Sequence, residues 1–146
     1  MDKPPLSDPR WVLRFENFSR AFVLLREGIE ILQEPNVPDI VREGVVQRFE
    51  YTWELAWKTL KDYLVFKRVT LDKITAAEVI RTAFEAGYIN DGQDWMDALD
   101  ARNKMSHVYN QEAFKAVIGD IEHRYFKLFD DLHDMLLEER VKLIDA

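Results

Sequence analysis

Apolar residues recur at steps of three and four through nearly the whole chain, and no stretch sustains the alternation that a strand requires. That period confines the chain to helices that bury one stripe each. Trp11, Phe15, Phe18, Phe22, Leu25, Ile29 and Leu32 trace a first helix, which Pro35 and Pro38 should end because proline lacks the amide proton a helix needs. A second helix is expected from Ile40 to Phe66. Its stripe holds Val45 or Val46, Phe49, Trp53, Ala56, Leu60 and Tyr63, with Trp57 and Leu64 beside it. Thr75 is placed to cap a short third helix, Ala76 to Ala86, that Gly87 closes through a left-handed turn. Asn90-Asp91-Gly92 reads as a turn, after which Asp94 should cap a fourth helix with Asp97 at its third position. Asn110 caps the last helix, whose expected stripe is Phe114, Val117, Ile121, Tyr125, Leu128, Leu132 and Met135. Short links between long helices favour antiparallel neighbours, so the expected fold is all-α: an up-and-down antiparallel four-helix bundle with one additional short helix.

A chain of 146 residues with 47% hydrophobic content can bury one core, which places a single domain at 10–146. The polar, proline-rich segment 1–9 is expected to be flexible and has no apolar core like that of a signal peptide. No apolar run reaches membrane-spanning length, so a soluble, cytoplasmic protein without membrane contact is expected. The absence of cysteine excludes disulfides and thiolate metal sites. With only five glycines and no glycine-rich phosphate loop, the chain is not itself a recognisable ATP-using enzyme, and no cofactor is expected. Asp91, Asp94, Asp97 and Asp100 recur every three residues, but acids near a helix N-terminus are favoured by its free amides, so capping is the preferred reading over a metal site. His123 and His133 lack partners at metal-ligand spacing and read as surface or interface residues.

Chemistry concentrates in Ala101-Arg102-Asn103-Lys104-Met105-Ser106-His107-Val108-Tyr109. An arginine can stabilise charge on a phosphate and a histidine can move protons near neutral pH, the two needs of metal-free phosphodiester cleavage. A five-residue step rotates by roughly 140° on a straight helix, so Arg102 and His107 fall on different faces. Asn103 shares a face with His107 and can hold its imidazole in one tautomer. Arg102 shares the other face with Tyr109. One histidine cannot be acid and base in a single turnover unless a two-fold dimer brings a second motif to the same cleft, so a catalytic role implies a homodimer. Spacing alone favours a purely structural role, with Arg102 paired to Asp97 or Asp100 and His107 closing a helix end. The net charge of −7 weighs against indiscriminate nucleic-acid binding, so RNA contact must be local. Arg48, Lys58, Lys61, Lys67 and Arg68 along one segment, with Lys104 near the motif, are the candidate basic residues; most should be a solvated helix face. Trp53, Trp57 and Tyr63 could stack on a nucleobase, but aromatics at helical spacing are more often core.

At these residues the chain resembles the HEPN superfamily of small helical proteins, whose signature is an R-x4-6-H pattern with a polar residue, matched by Arg102, Asn103 and His107. Three ordered blocks resemble more closely the nucleotidyltransferase substrate-binding family: Arg48-Phe-Glu-Tyr-Thr-Trp-Glu-Leu-Ala-Trp-Lys58, Val79-Ile-Arg-Thr-Ala-Phe-Glu-Ala-Gly87 and the Arg-x4-His-x-Tyr motif. The resemblance implies a partner, a minimal nucleotidyltransferase, in either a toxin–antitoxin pair or a two-part transferase. In the first case the chain is a metal-independent ribonuclease: Arg102, His107 and Asn103 are catalytic, and Tyr109 is the site at which the partner adds AMP. Lys104, Arg48 and Lys58 are then the substrate-binding candidates. In the second case the chain is a non-catalytic subunit that holds RNA or a nucleotide for its partner.

Overall fold

The computed structural model describes residues 8–105 and 110–145, so His107 and Tyr109 lie outside the described residues. Among the described residues every regular element is helical. The order is α1 (Arg10–Leu32), α2 (Asp39–Phe66), α3 (Ala76–Glu85), α4 (Gly92–Lys104), α5 (Gln111–Asp120), a π-helical turn (Ile121–Tyr125) and α6 (Phe126–Asp145). The last three follow without a break and form one long C-terminal helix. With α1, α2 and α4 it makes up the expected four-helix bundle, and α3 is the additional short helix.

Each boundary has a local cause. The turn after α1 passes through Asn36 in a left-handed conformation (φ 59°), and Pro38 in extended geometry then starts α2. Thr75 accepts a hydrogen bond from the Glu78 amide at 3.2 Å, the expected cap of α3. Gly87 adopts φ 82°, and the Tyr88 amide reaches back to the Ala83 carbonyl at 2.9 Å, the glycine-closed helix end the sequence predicts. The start of α4 differs from expectation. The cap position belongs to Asp91, left-handed at φ 55°, and Asp94 lies one turn inside, where its carboxylate turns to another helix. Asn110 caps α5 as expected, its Oδ1 accepting from the Glu112 and Ala113 amides at 2.7 and 3.3 Å.

α1 and α2 pack most extensively, because small residues let their backbones approach. Gly28 sits so close to α2 that a β-carbon there would stand 3.1 Å from Val45 Cγ2. Thr52, fully buried, donates its hydroxyl to the Arg48 carbonyl one turn back at 2.6 Å. Val45 and Val46 are both buried, resolving the ambiguity in the second stripe. The centre of the core is aromatic. Phe129 meets Phe18, Phe49, Trp53 and Trp95 with ring centroids 6.0–6.5 Å apart, several in edge-on or tilted geometry.

The C-terminal stripe is wider than expected: Ile118, Phe129 and Leu136, outside it, are buried along with Leu128 and Leu132, while Val117 and Met135 are only partly so. Asp62, an acid within the buried face of α2, is compensated by Arg14 from α1, with Lys61 and Arg10 at 3.4 and 3.6 Å. Among the described residues no helix is long and apolar enough to cross a membrane.

Candidate functional site

Trp95, Ala98 and Arg102 lie three and four residues apart, so they share the face of α4 that turns to the core. Trp95 and Ala98 are buried, and Trp95 packs on Trp53 of α2 with centroids 5.7 Å apart. The same face carries Arg102 to the edge of the core in the last turn of α4, where its side chain remains 33% exposed. Its Nε lies 3.2 Å from Glu54 Oε1 on α2. That contact is an ion pair rather than an aligned hydrogen bond, since the buried Nε has no hydrogen-bond acceptor among the described residues. Arg102 therefore does not pair within its own helix, as the structural alternative supposed.

Glu54 gathers more than Arg102. Its second oxygen, Oε2, accepts from Trp57 Nε1 at 3.2 Å and stands 3.6 Å from Lys58 Nζ. Lys58 in turn lies over the Trp57 ring at 5.9 Å. A carboxylate, a guanidinium, an ammonium and an indole thus meet where α2 passes the end of α4. Trp57 and Lys58 are half-buried, whereas Trp53 and Tyr63 are fully buried core, as their spacing suggested. Asn103 and Lys104 follow Arg102 on the exposed side of α4. Arg48 is not drawn into this group. It turns to α1, donating from Nη1 to the Leu24 carbonyl at 2.7 Å and lining a groove with Gly28, Ile31, Ile40 and Gly44. Of the other basic candidates, Lys61 is engaged by Asp62, and Lys67 and Arg68 are exposed at the end of α2.

The regular acid series on α4 has a partner that its spacing does not reveal. Arg124, carried by the π-helical turn, donates from Nη2 to Asp94 Oδ1 and Asp97 Oδ2, both at 2.6 Å, and its Nη1 stands 3.6 Å from Asp120. A hydrogen bond from Gln93 and those from Arg124 hold the Asp97 carboxyl below its ordinary value, and the two acids push the guanidinium pKa up. This staple fixes α4 against the C-terminal helix from one side while Glu54 meets it from the other. His123 is exposed beside Glu122. His133, expected at a surface or interface, is half-buried between α1 and α6: its Nε2 shares a hydrogen bond with Ser19 Oγ at 2.9 Å and its ring stacks on Phe22 at 4.8 Å. Burial holds the imidazole pKa below its ordinary value.

Sequence reasoning found Arg102 but missed Glu54 and Arg124. The signal for Glu54 was faint, an i, i+4 acid–base pair with Lys58 inside the block Arg48 to Lys58. Nothing local ties it to a residue 48 positions later.

A helical bundle whose fourth helix carries, in its last turn, a half-exposed arginine paired with the second helix is a small all-α module. The chain belongs to the nucleotidyltransferase substrate binding protein like family, whose model matches residues 13–138. It is 34% identical over 94 residues to a Haemophilus influenzae protein named probable ribonuclease HepT, an alignment spanning 62% of this chain and 64% of that relative. Among solved structures, it is similar to a Haemophilus influenzae protein described as having the fold of a substrate binding domain of a nucleotidyltransferase. The TM-score is 0.74 and the identity 28%, covering 84% of this chain and 98% of the other. A structure from Thermus thermophilus matches with TM-score 0.70 and 28% identity, over 79% and 94% of the two chains.

Proposed function

We propose that this chain is the HEPN-type partner of a minimal nucleotidyltransferase and acts in the cytoplasm as a metal-independent RNA endonuclease, the toxin of a toxin–antitoxin pair. The observation that carries the reading is Arg102, half-exposed at the end of α4 and opening an Arg-x4-His-x-Tyr sequence within the family-matched span. The 34% identity to a probable ribonuclease supports it.

In this reading two copies form a two-fold cleft, so that each supplies one imidazole. His107 of one protomer takes the 2′-hydroxyl proton as that oxygen attacks the adjacent phosphorus. His107 of its partner, protonated, gives its proton to the departing 5′-oxygen. The products are a 2′,3′-cyclic phosphate and a free 5′-hydroxyl. Arg102 stabilises the charge that builds on the phosphorane oxygens, and Asn103 fixes the imidazole orientation. Lys104 and Lys58 attract the flanking phosphates; Arg48, on the α1 side, serves a more distant part of the strand. AMP added to Tyr109 by the nucleotidyltransferase places bulk and negative charge where the RNA phosphate must enter.

The test is incubation of the purified protein with RNA and a chelator, comparing the parent with His107→Ala and Arg102→Ala. Cutting that resists the chelator and vanishes in both variants is expected. No cutting by the parent, with retained binding to a nucleotidyltransferase, would replace this reading with the second one, a non-catalytic subunit holding RNA or a nucleotide. The substrate-binding description of the family and of the similar structure favours that alternative.

A further inference from the structure

Resting on the ribonuclease reading, we infer that Glu54 is the positioning residue of the site, orienting the Arg102 guanidinium for the scissile phosphate. Arginine has four side-chain torsions, and an arginine in the last turn of a helix would otherwise sample many rotamers. Three features restrict Arg102 here. Its stem follows the buried face set by Trp95 and Ala98, its Nε is buried, and that nitrogen lies 3.2 Å from Glu54 Oε1. Glu54 itself is held from the other side by the Trp57 indole N–H at 3.2 Å, with the Lys58 ammonium at 3.6 Å. The carboxylate is thereby fixed before any substrate arrives. A guanidinium held on its Nε side by this ion pair, and with no hydrogen bond from its Nη donors among the described residues, can turn those donors to a second anion, and a phosphate is the anion whose paired oxygens match them.

The arrangement has an opposing electrostatic consequence. The negative charge of Glu54 partly cancels Arg102 and repels the RNA phosphate, so it weakens ground-state binding while fixing the geometry the transition state needs. Glu54→Gln keeps the size and the acceptor for Trp57 but removes the charge from Arg102. The expected result is a split between two constants: kcat falls by roughly 10–100-fold, the usual cost of losing a residue that orients a catalytic group, while KM for RNA falls as well, so turnover worsens as binding tightens. Glu54→Asp retains the charge on a stem one methylene shorter, and its kcat should lie between the two.

The experiment measures kcat and KM for parent, Glu54→Gln and Glu54→Asp on one RNA with chelator present, with thermal melting of each. An unchanged kcat in Glu54→Gln overturns the inference. So does a lower kcat with unchanged KM and a reduced melting temperature, since that is what a loss of folded protein gives. Should Glu54→Gln fail to fold, Glu54→Asp decides: a reduced kcat in the folded variant supports positioning, and a parental kcat overturns it. A parent that does not cut RNA overturns both the ribonuclease reading and this inference, an outcome distinct from a parent that cuts alongside an unaffected variant.

Discussion

His133 shows how much one side chain's role depends on what covers it. Stacked on Phe22 and bonded to Ser19, it is favoured in its neutral form by burial, although Asp130 and Asp134 on its own helix pull the other way and Arg26 of α1 reinforces the neutral form. The folded pKa therefore lies below the unfolded value near 6.5, and in the interval between them the unfolded chain binds a proton that the folded chain does not. Stability rises with pH across that interval and falls as the medium is acidified through it. As the pH falls below about 6.5, the melting temperature of the parent should drop more steeply than that of His133→Gln. Parallel curves for the two proteins would contradict this. Phe129 makes the opposite case, a residue whose whole value is packing. Phe129→Ala removes the ring that four other aromatic residues meet, and denaturant unfolding should show a loss of about 3–5 kcal/mol.

Helices are held in place by particular junctions, and α4 depends on two of them. Arg124 ties Asp94 and Asp97 from the π-helical turn, so Arg124→Met leaves two carboxylates of α4 facing each other without their shared donor. The expected loss is roughly 1–2 kcal/mol, discounted because all three side chains are partly exposed. Amide hydrogen exchange checks the location of the effect: it should accelerate in α4 well before α1. Uniform acceleration along the chain would argue against a local staple. At the start of α5, Asn110→Ala leaves the Glu112 and Ala113 amides without their cap and should cost about 1 kcal/mol in a chemical melt. The element boundaries were largely legible in the sequence because their causes are local: Thr75, Gly87 and Asn110 act within four residues. Asp94 departs from its expected capping role since its carboxylate is used by a residue 30 positions away, and the π-helical turn left no mark in the apolar pattern.

At the scale of the whole molecule, the proposed chemistry requires two copies, because a single motif holds one imidazole. Sedimentation or light scattering should report a dimer at assay concentrations, and dilution that dissociates it should abolish RNA cutting at the same midpoint. A monomer that cuts with full specific activity would refute the shared cleft. The charge of −7 adds a constraint: affinity for RNA should come from few phosphate contacts, so the dependence of binding on salt should be shallow.

The amino-acid order alone determined the helical class, the number of long helices, most caps and the position of Arg102, because each depends on spacing along the chain or on residues a turn apart. The family-specific blocks were equally visible without coordinates. Only the tertiary structure decided which acid meets which base. It brought Glu54 to Arg102 and Arg124 to Asp94 and Asp97, sent Arg48 to α1, and sank His133 between two helices. Those pairings arise where helices cross, and a crossing is set by the packing of whole buried faces, which no short window of sequence contains.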